Sequence, residues 1–561
     1  MAICIFACFA FCISPSARAA DAPELWVYSG VNFQVNDSVD KLIALLERAK
    51  KAGYNAAVIT DYKFGRIDDR PQHYYTNMKR TRDAAQRIGI ELIPCVMPIG
   101  YSGAILQNDP NLAAGLPVKD CAFVVRDGKA TPADMTNLLP GGAFETAQKN
   151  KPADWDWIDA FGKLSSLDTN VKHSGKSSLH MSNFRAESEH GNGRVVRNLT
   201  LKPWHQYRLS LWVKTKDMEN ISEFKAALLT DAGRSLNHAS FNTKRTQDWT
   251  QHTIAFNSLE HETARLYLGI WGGSKGELWI DDVTLTIAGG VNLLRREGCP
   301  LKVTNRDGSI TYEEGRDFEK WQDAKLGRVP YAGEFDDDHA APPLVLTKNS
   351  RIKDGDELRV SFYHTVIVHD GQVSCALIAD DLFKHLHRQI ELIDKHFAPR
   401  RYFMQHDEFR VGGFDAQEQA AGKTSGQLMA MNAQRCVKVI REVNPKAGIV
   451  VWSDMFDPHH NARANYYLVA NTLEGAWEGL DKNVGIVNWN GGKKADSLKF
   501  FADRGHEQFI AGYYDTGDVA GHTQGWMKAT ANVSGVKGYM YTTWQQNYTG
   551  LEKFAETVRG H

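Results

Sequence analysis

Two adjacent carboxylates, Asp407 and Glu408, close the run Arg401–Glu408 (RYFMQHDE), with His406 just before them. Asp454 follows Trp452 inside Gly448–Asp457 (GIVVWSDMFD), and Asp61 ends NAAVITDY. Trp489 closes VGIVNWN, Tyr513, Tyr514 and Asp515 close FIAGYYD, and Trp544 closes GYMYTTW. Each group sits at the end of an apolar run of the kind that forms a buried strand. Carboxyls give and take protons, while indole and phenol faces pack on the C–H faces of sugar rings. A glycosidase pocket needs that combination. Successive side chains on a strand point to opposite faces. Asp407 and Glu408 can therefore serve one site only where the strand ends and the backbone turns; otherwise one is catalytic and the other structural. In a two-carboxylate mechanism Glu408 takes Asp454 or Asp515 as partner, with about 5 Å between them for retention and about 6.5–9.5 Å for inversion.

These groups must be positioned by a strand–helix rhythm, which runs through both ends of the chain. Leu25–Phe33, Asn55–Tyr62 and Glu91–Pro98 read as strands, separated by helices that stop at Gly53 and Gly89. The rhythm resumes with a helix over Asp380–Phe397, whose Leu382, Leu386, Ile390, Ile393 and Phe397 form one stripe. Five more strand runs follow. Three and five make eight, and eight βα units close most economically as a TIM barrel with its active site at the strands' C-terminal ends. From about Asn137 to Ala288 the helical period gives way to short alternating stretches, such as Tyr207–Lys214 and Glu277–Thr286, which predict a β-sandwich. Leu358–His369 is a ninth strand candidate, placed beside the barrel with Cys299–Tyr312. The predicted organisation is a first barrel part over 21–136, the β module over 137–288, a hairpin excursion over 289–370 and a second barrel part over 371–561.

The 561 residues carry 66 Lys+Arg against 67 Asp+Glu. A net charge near zero argues against a nucleic-acid protein and against a polybasic membrane binder. Residues 2–13 (AICIFACFAFCI) are too short to span a bilayer comfortably and run into SPSARAA. They predict a secretory signal peptide over 1–20, an export to the periplasm or beyond, and no membrane insertion of the remainder. Cys95, Cys121, Cys299, Cys375 and Cys436 are scattered and odd in number, which is neither a disulfide framework nor a zinc pattern.

Other constellations compete. Asp454, Asp457, His459 and His460 together offer nitrogen and oxygen ligands for a divalent metal, so a metal-dependent hydrolase or deacetylase stays open. Pro458 rules out an HExxH helix there. Asp336-Asp337-Asp338-His339 reads as a solvated loop. No GxSxG elbow is present, against an α/β-hydrolase. A polysaccharide-binding protein built on an inactive barrel is the reading from another class. Its oligomeric state is open in every case.

The middle segment has the opening NLLPGGAFE (Asn137–Glu145), the hairpin HSGKSSL (His173–Leu179), LKP with Tyr207–Thr215, Asp248-Trp249 and LWIDDV (Leu278–Val283). In these it resembles family 4/9-type carbohydrate-binding modules. The likeness implies a jelly roll and a structural calcium held by Glu145 and Asp282, whose hard oxygens suit that ion. Trp204 and Trp271 are candidates for a sugar platform. The barrel segments resemble glycoside hydrolase family 20, the β-N-acetylhexosaminidases. That likeness implies Glu408 as general acid, Asp407 orienting a substrate acetamido group that attacks the anomeric carbon, and Tyr513 or Tyr514 holding the acetamide oxygen. It implies Trp452, Trp489 and Trp544 as pocket walls, an oligo- or polysaccharide substrate and no catalytic cofactor. The family's Gly pair before Asp-Glu is absent, and its strand-one Arg has no counterpart in Ser29–Phe33. The chain is also similar to a group of secreted bacterial proteins sharing the set HDE, WSDMFDPHHN and TTW.

Overall fold

The computed structural model describes residues 22–148, 151–369 and 371–560; the leader predicted over 1–20 lies outside them. Eight parallel strands close into a barrel in chain order. They are β1 (Glu24–Gly30), β2 (Ala56–Thr60), β3 (Glu91–Val96), β4 (Arg401–Met404), β5 (Gly448–Trp452), β6 (Val484–Asn488), β7 (Gln508–Tyr513) and β8 (Val536–Thr542). These are the eight runs expected, yet several stop short of the polar residues at their ends. β4 ends before Gln405, β5 before Asp454 and β8 before Trp544. A strand buried on both faces is apolar throughout; where polar residues begin, the ladder ends and loops carry them.

Helices α1 (Asn36–Lys51), α2 (Gln72–Ile88), α3 (Asp380–Phe397), α4 (Ser425–Val443), α5 (Lys494–Asp503), α6 (Val519–Thr530) and α7 (Leu551–Arg559) wrap the barrel. The α3 stripe Leu382, Leu386, Ile390, Ile393 and Phe397 is buried against the wall, as its spacing requires. Between β5 and β6 stand two short 3-10 turns, over Asp454–Phe456 and Ala476–Gly479, and the short strand Leu468–Val469, which pairs with Val411–Gly412.

Inside the barrel, Trp26, Val58, Ile93, Phe403, Val450, Val487, Phe509 and Met540 fill the lumen. Trp26 stacks on Phe509 at 3.9 Å. At the N-terminal end Arg401 bridges Glu24 and Glu91, each at 2.8 Å, with its guanidinium 4.8 Å from the Trp26 ring. This compensated set plugs the floor, so the lumen opens only at the other end.

The chain between β3 and β4 builds antiparallel sheets. Strands Gln247–Asn257, Gln206–Lys216, Glu277–Ile287, Ser178–Met181 and Ser165–Asp168 form a five-stranded sheet in that order. Phe224–Leu229, Thr263–Ile270, Gly193–Thr200 and Trp157–Ile158 form a four-stranded one. A third, seven-stranded sheet pairs Glu357–His364 with Leu116–Arg126. Leu116–Arg126 falls within the 21–136 stretch read as barrel, but it lies in this sheet. The ninth strand candidate likewise lies outside the barrel. One hydrophobic core runs through all three sheets.

His364 marks the seam between them. Asn257 donates to its Nε2 at 2.9 Å, and its Nδ1 faces Thr365 O at 3.0 Å. Full burial lowers its pKa from 6.5 to about 4. The folded protein therefore keeps it neutral while the unfolded chain takes up a proton below about pH 6.5. Stability is present above that pH and drains away as pH falls toward 4, by roughly 3 kcal/mol for this group. Thermal melts at pH 7 and pH 4.5 should show the loss, and His364→Gln should flatten the slope while lowering stability at pH 7. An unchanged slope in His364→Gln counts against this origin.

Candidate active site

The inward alternation of β4 continues past its end. Phe403 points into the lumen, and the Cys95 thiol lies 3.7 Å from Gln405 Oε1. Asp407 has the same parity. His406 has the opposite one and is fully buried behind the wall, against α4. Asn432 Nδ2 donates to Leu377 O at 2.7 Å, so Asn432 Oδ1 accepts from His406 Nε2–H at 3.1 Å. Burial lowers the His406 pKa to about 4. Then Glu408 adopts φ +50, and the alternation breaks. Its N–H donates to Asp454 Oδ2 at 2.9 Å, and its carbonyl accepts from Gln372 Nε2 at 2.7 Å. Gly100 presses on the same turn: a Cβ there would sit 2.1 Å from Asp407 O.

Three carboxyls share this turn, with unequal surroundings. Asp454 is fully buried and accepts from Glu408 N–H, from Asn461 Nδ2 at 2.8 Å and from Trp489 Nε1 at 3.2 Å. Glu408 pairs with Arg410 at 2.8 Å and accepts from the Tyr101 hydroxyl. Asp407 Oδ1 is buried with no partner among the described residues. Burial first, then the charges of Asp454 and Glu408, push the Asp407 carboxyl well above the usual range. Burial raises Asp454 as well. Donors favour the ionised form of the group they surround. The pair thus keeps its charge on Asp454 and its proton on Asp407.

Aromatic groups ring the turn. Trp452 packs on Phe403 at 4.7 Å, and Trp544, 53% exposed, lies 6.2 Å from Trp452 and 6.0 Å from Tyr514. The Tyr514 hydroxyl is buried and unpartnered among the described residues. Trp489 stacks toward Tyr514 at 6.3 Å. Beside them lies a cavity of about 430 Å³ lined by Tyr101, Gln405, Cys95, Asp61 and Gln546.

So Asp407, Glu408, Asp454, Trp452, Trp489, Tyr514 and Trp544 come together, while four other candidates do something else. Tyr513, at φ +73, stacks on Tyr541 at 4.2 Å in the layer between wall and helices. Asp515 accepts from Thr543 Oγ1 at 2.5 Å and Trp544 N at 2.8 Å, bracing the β8 loop. Asp61 lines the cavity, but its oxygens cap Phe33 N at 3.0 Å and Lys63 N at 2.9 Å. His406 serves the wall. Tyr101, Arg410 and Gln372 were missed. Arg410 stands two residues after Glu408, a spacing that puts both on one side of an extended segment. Tyr101 stands five residues past the end of β3, in the loop that faces Glu408.

Glu145 and Asp282 both meet the hairpin His173–Leu179. Glu145 accepts from Lys176 N at 2.7 and 2.8 Å. Asp282 accepts from Ser174 Oγ at 3.0 Å and meets His173 Nδ1 at 2.6 Å. These donors tie both carboxylates to the hairpin His173–Leu179. Among the described residues no cluster of three His, Cys, Asp or Glu is arranged to hold a metal. His460 packs edge-on to Trp489 at 4.4 Å, and Asp457 caps His459 N at 2.9 Å. No described helix is long and apolar enough to cross a membrane.

No family model matches the chain, and no curated protein does. Among solved structures it is similar to a family 16 carbohydrate-binding module, at 19% identity over 27% of this chain and 99% of that one, TM-score 0.19. It is similar to the CBM22-1 xylan-binding domain from Paenibacillus barcinonensis, at 15% identity over 28% of this chain and 99% of that one, TM-score 0.22. A rhamnosidase from Novosphingobium sp. aligns at 11% identity over 96% of this chain and 58% of that one, TM-score 0.32. Likenesses at these scores carry no argument about the site, which rests on its own geometry.

The Gly100 contact yields a test independent of activity. Gly100→Ala should destabilise the fold by about 1–3 kcal/mol, because the added methyl meets backbone that cannot swing away. Chemical denaturation reads it; a loss below about 0.5 kcal/mol, the usual scale of a neutral surface change, contradicts the close packing.

Proposed function

We propose that the chain is an exported glycoside hydrolase. In this reading a (β/α)8 TIM barrel carries a jelly-roll module of the carbohydrate-binding kind over 137–288, and an oligo- or polysaccharide is cut at the barrel mouth. The supporting observation is the carboxyl cluster Asp407–Glu408–Asp454 inside a ring of indoles and phenols, where burial and the neighbouring carboxylates push Asp407 well above the usual carboxyl range. Asp407 would protonate the glycosidic oxygen. Asp454, kept ionised by its donors, would face the developing positive charge or attack it. Glu408, tied to Arg410 and Tyr101, would hold the turn and add negative potential. This assignment differs from the expectation that Glu408 is the acid, because both Glu408 oxygens are engaged by Arg410 and Tyr101 while Asp407 Oδ1 has no partner among the described residues.

One observation favours a second reading, the β-N-acetylhexosaminidase-like one. The unpartnered Tyr514 hydroxyl lies close enough to Asp407 to feel its charge. The two would clasp a substrate acetamido group, which would attack the anomeric carbon while Glu408 gives the proton.

Hydrolysis of 4-nitrophenyl β-glucoside, β-galactoside, β-N-acetylglucosaminide and β-N-acetylgalactosaminide separates the two. Asp407→Asn should cost about 10²–10⁴-fold in kcat/KM on the sugars the wild type cleaves. Activity should fall as pH rises through the raised Asp407 pKa, and Asp407→Asn should lose that limb. Cleavage of acetamido sugars alone, abolished by Glu408→Gln, selects the second reading. Wild-type rates in both variants, or no cleavage of any glycan tried, would overturn the hydrolase reading in favour of a binding role.

A further inference from the structure

A second cavity, of about 900 Å³, lies between the β module and the barrel. The edge strand Phe224–Leu229 and the turn 233–243 form one wall, and the loop 463–467 beyond β5 forms the other. Arg234 bolts the two together: it donates to Tyr467 O at 3.0 Å and Val469 O at 3.1 Å. The walls therefore keep a fixed spacing.

The cleft approaches the carboxyl cluster. Tyr467 lines it, and the Arg410 guanidinium lies 5.3 Å from the Tyr467 ring. The same guanidinium pairs with Glu408. Tyr466, also lining, is near enough to Asp454 and Glu408 for both charges to raise its pKa, after burial. One layer of side chains separates the cleft from the proposed chemistry.

Its charge is lopsided. Lys225, Arg234 and Arg463 line it, against the single carboxylate of Glu223. Glu223 pairs with Lys225 at 3.2 Å, and Arg234 leans on Glu260 outside the lining. Arg463 is exposed, and its side chain has no hydrogen-bond or ion-pair partner among the described residues. Burial, then Arg410, His369 and Lys225, lower the His238 pKa to about 4, consistent with a positive field at the inner end. The Ser240 hydroxyl and the Asn242 amide complete a lining suited to sugar hydroxyls.

We propose that this cleft binds an anionic glycan, a chain bearing carboxylate or sulfate groups, and feeds it to the cluster at Glu408. The proposal rests on the hydrolase reading for the feeding step, but the binding step stands apart from it. Arg463 gives a bidentate partner for a carboxylate or sulfate, Lys225 gives a second cation across the cleft, and Tyr467 gives an apolar ring face. The β module is then a wall of the substrate site.

Isothermal titration calorimetry on the full chain, in an Asp407→Asn background that prevents turnover, tests this. The probes are oligogalacturonides, sulfated galactan oligosaccharides and neutral β-galacto-oligosaccharides of matched length. At least one anionic series should bind, with Kd rising as salt is added and about tenfold or more in Arg463→Gln and in Lys225→Gln. Lys438→Gln, on the outer face of α4, should bind as the parent does. Binding of the carboxylated series alone assigns a uronate, of the sulfated series alone a sulfate ester, and of both a site reading charge. Equal binding of the neutral series, unchanged Kd in Arg463→Gln, or no binding of either anionic series overturns the proposal. Loss of binding while the wild type still cleaves neutral glycosides sinks this inference alone; intact binding without any cleavage sinks the hydrolase reading alone.

Discussion

The bond from the Glu408 N–H to the Asp454 carboxylate organises the mouth of the barrel. It ties the loop beyond β4 to the loop beyond β5, strands that are already neighbours in the wall. It holds Glu408 in a left-handed turn, so two consecutive carboxylates leave the strand in different directions. With burial, the Asp454 carboxylate it holds in place also raises the Asp407 carboxyl. Once Asp454 is surrounded by donors it keeps its charge, and a second buried charge at Asp407 becomes costly. Glu408 is sent toward Arg410 and Tyr101 instead. One backbone donor thereby distributes three acidic groups among three electrostatic environments.

Much of the barrel was legible because its signals are local. The stripe on α3 and the apolar runs of all eight strands are periodic over a few turns or residues, and burial reinforces them. Strand ends were less legible. Asp407 and Asp454 look like the last residues of strands, but a ladder ends where side chains need partners off the sheet. The site divided along the same line. Trp452 follows from strand alternation and Asp454 from standing just past the strand's end, whereas Tyr513 and Tyr514 exchange sides because three consecutive residues, Tyr513 to Asp515, take positive φ. Nothing in a single sequence marks that turn. Asp61 and Asp515 share the residue type of a catalyst, yet both spend their oxygens on nearby donors. Tyr101 and Gln372 were invisible because the contacts that matter join segments remote in the chain, whereas Arg410 stands two residues from its partner Glu408.

The β module is not an appendage on a tether. Its core is continuous with that of the sheet beside the barrel. His364 from that sheet is buried against Asn257 of the module, and Arg234 of the module grips the backbone beyond β5. Interfaces between independent domains are usually small and more polar. Here a buried polar seam and a shared core remove the freedom such interfaces leave.

The clamp at the barrel floor carries a cost in time. Arg401 joins β4 to Glu24 and Glu91, which belong to the first and third strands. Cys95 and Gln405, side by side across β3 and β4, are 310 positions apart in the chain. As the polypeptide emerges, three strands exist with an unpaired edge on either side, and both partners arrive only after the whole β module. An exposed strand edge invites pairing with another chain. The module's own folding, by drawing its two ends together, shortens the loop that must close and brings the late half-barrel to the waiting one. Its earliest service would be as a splint during biogenesis, before any sugar is met.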